Sequence, residues 1–138
     1  MPIDFSGLNR IDAALAEPLD YHNVLPEIPY LGRVFGITYP RLRSRVMKYG
    51  RTTGLTSGFL IAINATIKIL IGNSYVLFEN QIVIEKDGDK FSDRGDSGSL
   101  ILDSERRAIG LLFTGSETGV TFANPIYEIL SYFSVDII

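Results

Sequence analysis

The chain has 138 residues, the size of one domain, and a chain this long buries about two thirds of its unfolded surface. Its formal charge is −3, and basic residues gather only at Arg41, Arg43, Arg45 and Lys48, which is not the footprint of a nucleic-acid binder. It has no cysteine and one histidine, His22, which excludes disulfides and thiolate metal sites and argues against a histidine metal centre; no cofactor or metal is expected.

Taken in order, Met1-Pro2-Ile3-Asp4-Phe5 lacks the basic stretch and apolar run of a signal peptide. No segment reaches membrane-spanning length, so no membrane partner is expected, and the compartment is left open. Residues 1–16 read as one short strand in which Ile11, Ala13 and Leu15 alternate with Asp12, Ala14 and Ala16. Residues 17–30 carry Pro18, Pro26 and Pro29 and read as an extended linker, because proline restricts itself and its predecessor. Arg41, Arg43 and Arg45 are spaced to share one solvated strand face. Ser44 to Lys48 is predicted as a strand and Gly50 to Gly58 as a loop or bulged segment.

Phe59, Ile61, Ile63, Ala65, Ile67, Ile69 and Ile71 then alternate with Leu60, Ala62, Asn64, Thr66, Lys68 and Leu70. This is the cleanest period-two run in the chain and predicts a long strand or a hairpin with one buried face. Gly72-Asn73-Ser74 is a turn, Tyr75 to Glu85 a strand, and Lys86-Asp87-Gly88-Asp89 a turn. Leu100 to Asp103 and Ala108 to Thr114 form a hairpin, and Val120 to Ala123 a last strand. From Pro125 the apolar residues recur every three or four positions, at Ile126, Ile129, Leu130 and Phe133, so a short helix follows. Asn124 is its expected N-cap and Pro125 its first turn. Many short strands closed by one helix predict an all-β antiparallel barrel.

One stretch carries chemistry: Asp93-Arg94-Gly95-Asp96-Ser97-Gly98-Ser99-Leu100. Acyl transfer by serine needs a hydroxyl lifted clear of its neighbours and backbone N–H groups aimed at the developing oxyanion. Glycines on either side of Ser97 permit both. On composition alone the same residues also describe a plain turn between strands.

The full strings resolve the ambiguity by resemblance. Gly95-Asp96-Ser97-Gly98-Ser99 resembles the nucleophile loop of chymotrypsin-like serine peptidases, and Gly50-Arg51-Thr52-Thr53-Gly54-Leu55-Thr56-Ser57-Gly58 resembles a signature of their bacterial and plant members. Asn9 to Ala16 is similar to the segment bearing their triad aspartate, and Ala108 to Gly115 with Gly119 to Pro125 to the strands lining their specificity pocket.

The resemblance implies the second barrel of that fold, a six-stranded Greek-key barrel over residues 29–138, with residues 1–28 holding the aspartate strand and a linker. It implies Ser97 as nucleophile, Asp12 as the carboxylate that orients the base, and the backbone amides of Gly95 and Ser97 as the oxyanion hole. Phe91 and Ser92 are expected at the base wall of the pocket, Phe113, Thr114 and Gly115 along one side, and Val120 to Ala123, with Thr121, at the back. The position where trypsin-type enzymes carry an aspartate falls on Phe91, which argues against selection of Arg or Lys.

The family's histidine precedes its aspartate, and His22 follows Asp12. The chain therefore reads as a serine endopeptidase-like domain without its base, either a fragment or a natural short homologue, inactive alone. The alternative is a non-catalytic barrel that binds peptide in the old cleft. Expected partners are a peptide or protein substrate and either the missing N-terminal barrel or a second copy, through self-association or exchange of residues 1–28.

Overall fold

A computed structural model describes residues 2–138. Arg45–Gly50 forms strand β2 and Gly54–Ile71 forms β3, joined by a tight turn that pairs Gly50 with Gly54. Ser74–Lys86 is β4, Leu100–Asp103 β5, Ala108–Gly115 β6 and Val120–Pro125 β7. The two-residue strand β1, Leu8–Asn9, lies parallel to β4 at Leu77–Phe78. The sheet order is β1-β4-β3-β2-β5-β6-β7, and an antiparallel β4–β7 pairing closes the last six strands into a ring. This is the all-β barrel expected.

Consecutive strands of the ring are neighbours except β4 and β5. The connection between those two crosses the barrel end, and it carries the Gly95–Ser99 loop. Inside the ring, Val46, Leu60, Ile82, Ile84, Phe91, Ile101 and Ala123 make the core. A second cluster outside the ring joins Val76, Phe78 and Phe113 to Ile3, Ile67, Ile69, Ile71 and Phe122. Helix α1, Ile126–Phe133, buries Ile126 and Ile129.

Five sequence expectations need correction. Residues 1–16 form a strand only at Leu8–Asn9, because Asp4 folds the chain back by accepting from the amides of Ser6 and Gly7. The linker carries a 3-10 turn at Tyr21–Asn23, where the Asp20 carboxylate accepts from the His22 amide. The Gly50–Gly58 stretch is a turn followed by the first residues of β3, not a loop. Arg41 and Arg43 precede β2, with Arg43 at φ 65°, so the three arginines do not share a strand face.

The fifth concerns the phase of β3. Leu60 is wholly buried while Phe59 and Ile61 are 40% and 45% exposed, the reverse of the predicted face. The pairing of β3 with β4 then slips three times between Leu60 and Ile67, with Asn64 at φ 53° and, on β4, Asn80 at φ 59°. A bulge inserts a residue and turns the side chains over, so Ile67, Ile69 and Ile71 return to the packed side. The apolar alternation runs unbroken through a strand whose faces change. Leu60→Ala should cost about 2–5 kcal/mol in urea unfolding, as cavity-forming core truncations do, and Ile61→Ala markedly less; equal costs would contradict the switch of face.

Candidate active site

The loop at the barrel end is built around one carboxylate. Asp96 is wholly buried and accepts from the amides of Thr52 at 2.8 Å, Thr53 at 3.2 Å and Asp93 at 3.0 Å. The Thr53 hydroxyl donates to its other oxygen at 2.7 Å. Lys48 Nζ, also wholly buried, stands 3.5 Å away, donating to Thr53 Oγ1 at 2.5 Å and to the Gly54 carbonyl at 3.1 Å. The face of Phe91 lies 5.8 Å from that ammonium. Burial alone would raise the Asp96 carboxyl, but the hydrogen bonds from Thr53, Asp93 and Thr52 outweigh it and hold it at about 2. Burial also pushes Lys48 below its ordinary value, against the pull of Asp96.

With Asp96 turned inward, Ser97 turns outward. Its hydroxyl is exposed at the rim of a cavity of about 410 Å³ and donates to the Phe113 carbonyl at 3.0 Å. The flanking glycines take the left-handed conformation, Gly95 at φ 97° and Gly98 at φ 87°. A Cβ on Gly95 would stand 2.5 Å from Thr52 Oγ1, and one on Gly50 would collide with the Asp96 carboxylate. The amides of Asp96, Gly98 and Ser99 bond to Asp93, Leu112 and Asp96 carbonyls. Those of Gly95 and Ser97 have no acceptor among the described residues. Two free N–H groups therefore flank the exposed hydroxyl.

Ser92, Phe113, Thr114 and Gly115 line the same cavity as Ser97. The other five expected pocket residues, Phe91 and Val120 to Ala123, do not: Ala123 belongs to the barrel core and Phe122 packs on the Val76–Phe78–Phe113 cluster. Phe91 is 1% exposed because its ring belongs to the barrel core. Thr121 is also 1% exposed, its hydroxyl 2.6 Å from that of Ser92, and Val120 is half-buried beside it without reaching the cavity. Charge enters instead through Asp93, Arg94 and Glu117. Asp93 is bound by Lys90 at 2.6 Å, while Arg94 and Glu117 have no ion-pair partner among the described residues.

Asp12 arrives from another direction. Its amide donates to Asn124 Oδ1 at 2.9 Å, and Asn124 passes a hydrogen bond to Gln81 Oε1 at 2.7 Å. Gln81 Nε2 in turn holds the Arg10 carbonyl at 2.8 Å. Both amide side chains are wholly buried. Asn124 is therefore not the helix cap; Pro125 occupies that position, and Asn124 ties the N-terminal segment to β7. It pairs with Leu111 on β6, two residues from the carbonyl that holds Ser97. The Asp12 carboxylate is exposed, makes no hydrogen bond or ion pair among the described residues, and does not touch Ser97. His22 points into solvent, its side chain 95% exposed and 2.9 Å from Asp20.

Residues 38–122 match the family described as the Nal1 C-terminal domain. The chain belongs to this family. Comparison with curated protein sequences finds no match. Among solved structures, the chain is similar to Cellulomonas bogoriensis chymotrypsin, with 27% identity and TM-score 0.64 over 77% of this chain and 55% of that one. Thermobifida fusca protease A gives 25% identity and TM-score 0.64, over 77% and 54%. A glutamic-acid-specific serine protease gives 26% identity and TM-score 0.62, over 76% and 54%. This member of the Nal1 C-terminal domain family thus has the barrel of a chymotrypsin-like serine protease fold and spans about half the length of those structures.

The sequence reading missed Lys48, taken as part of a basic run, and the Asn124–Gln81 relay. A lysine between Val46 and Gly50 at the buried phase of a strand was the available signal. Lys48→Met should destabilise the chain by about 3–5 kcal/mol, because Asp96 is left as an unpaired buried charge. The pH dependence has a definite sign. The Asp96 carboxyl falls from 3.8 to about 2 on folding, so its contribution is complete above pH 3.8 and lost between there and 2. That loss is roughly 2 kcal/mol in denaturant midpoints, and Asp96→Asn should flatten the slope.

Proposed function

We propose that this chain is the nucleophile-bearing half of a serine endopeptidase-like site. Ser97 is the nucleophile, the amides of Gly95 and Ser97 receive the oxyanion, and the cavity bounded by Ser92 and Phe113–Gly115 takes the substrate side chain. The observation that carries this reading is the exposed Ser97 hydroxyl between two amides without protein acceptors. The kinship in fold with serine proteases supports it.

Asp12 is proposed to orient the general base, its backbone fixed by Asn124. The base is a histidine other than His22, which is solvated and engaged with Asp20. Without it the hydroxyl keeps its proton and remains a weak nucleophile. The second reading, a barrel that binds peptide without cleaving it, is favoured by the hydrogen bond that ties Ser97 Oγ to a backbone carbonyl.

Hydrolysis of an activated ester or of casein by the 138-residue chain should be unchanged within about twofold by Ser97→Ala, since no base is at hand. Protease-like turnover that depends on Ser97 would overturn the missing-base reading. Peptide boronic acids separate the two remaining readings. A tetrahedral boron signal lost in Ser97→Ala supports the nucleophile, and binding with boron left trigonal supports the peptide-binding barrel.

A further inference from the structure

The outer half of the long β3–β4 hairpin leaves one strand edge bare. β2 accompanies β3 only from Gly54 to Phe59, and β1 takes the far edge of β4 at Leu77–Phe78. From Ile61 to Ile71, β3 has β4 on one side and no strand on the other among the described residues. The last five residues, Ile67 to Ile71, are in regular register with β4 and extend about 17 Å. They hold three isoleucines, one leucine and a single charge, Lys68. An unpaired edge this long, this apolar and without proline is a template for another strand.

We propose that the occupant is a second copy of this chain, paired antiparallel along Ile67–Ile71 about a two-fold axis at Ile69. This does not depend on the serine site. The argument is one of register. The two-residue turn closes on the Ile71–Ser74 pair, and antiparallel amides alternate in direction, so the amides of Ile67, Ile69 and Ile71 face β4. Those of Lys68 and Leu70 face outward. A strand related by a two-fold at Ile69 meets this pattern, because Lys68 then lies opposite the partner copy's Leu70 and both amides of each such pair are outward.

Charge selects among registers. Centring on Lys68 would set two ammonium groups face to face, which destabilises a sheet pair. Centring on Leu70 shortens the overlap at the Gly72 turn, and centring on Ile67 runs into the bulge before it. The Ile69 register keeps the isoleucines of both copies on the side where Val76, Phe78 and Phe113 already form a cluster. It also places Leu70, 57% exposed, beside the Lys68 stem, whose ammonium sits 4.5 Å over the Tyr75 ring.

The test uses the full 138-residue chain in sedimentation and light scattering across the micromolar range, with Leu70→Gln as the neutral reference. Leu70 is exposed on the hairpin, so these changes leave the barrel core untouched. Each dimer contains the Lys68–Leu70 pairing twice. Leu70→Glu should therefore tighten dimerisation about fivefold relative to Leu70→Gln, and Leu70→Lys weaken it about fivefold. Hydrogen exchange at the Lys68 and Leu70 amides should slow as concentration rises. Three results would overturn the proposal: a chain that stays monomeric throughout, Glu and Lys variants that shift the same way, or a dimer whose edge amides stay unprotected. A monomer that binds an added foreign strand at this edge counts among the first.

Discussion

A single carboxylate organises the end of this barrel that carries Ser97. Asp96 draws hydrogen bonds from the β2–β3 turn and from its own loop, with a lysine at its back. A buried charge is costly unless its partners are complete, and here no buried side-chain polar atom among the described residues lacks one. The consequence is geometric. With Asp96 anchored inward, the adjacent backbone has little freedom, and Ser97 and the amides beside it must face out. Gly50 and Gly95 follow from the same constraint, since a methyl group at either would press on the Asp96 carboxylate or on Thr52. The Gly50–Gly58 and Gly95–Ser99 strings are thus two halves of one packing problem, solved by donors in the first for an acceptor in the second.

The barrel contributes the frame. The Ser97 loop occupies the β4-to-β5 crossover, the one connection in the ring between strands that are not neighbours. A crossover has no hairpin ladder to fix it, so its shape is set by side-chain bonds such as those of Asp96 and by the Gly98 amide on the Leu112 carbonyl. The hairpin of β3 and β4 solves a different problem. Its inner half must face the ring core at Leu60 and its outer half must face the cluster at Phe78, on the opposite side of the sheet. Bulges at Asn64 and Asn80 make that turn-over, and asparagine tolerates the left-handed backbone they require.

Strands, turns and the glycine-flanked turn that exposes Ser97 were legible because they are local. Period-two runs, glycine-rich turns and the Gly-Asp-Ser-Gly string are fixed by residues close in sequence. What could not be read depends on partners far along the chain. The β3 alternation is uniform, and only the register against β4 reveals that its face changes. Lys48 looked like one more exposed base until Thr53 and Asp96 were brought around it. Asn124 has the composition of a helix cap, yet Gln81 and the Asp12 amide compete for it and win. Phe91 was carried to the pocket wall by resemblance, but its size suits the core.

Proton transfer and oxyanion binding make different demands on a fold. Two backbone amides can be preorganised by one loop, and here that loop is held from below by Asp96 without help from a base. Orienting a histidine needs a carboxylate, and the N-terminal segment that carries Asp12 is fastened by Asn124 and Gln81, which bond its backbone. The Asp12 carboxylate is thereby left without a structural task. A buried amide pair that grips the main chain just before an exposed carboxylate holds position while leaving that carboxylate uncommitted. In that respect Asp12 and Ser97 are built alike: each is an exposed polar side chain on a backbone fixed by a buried neighbour.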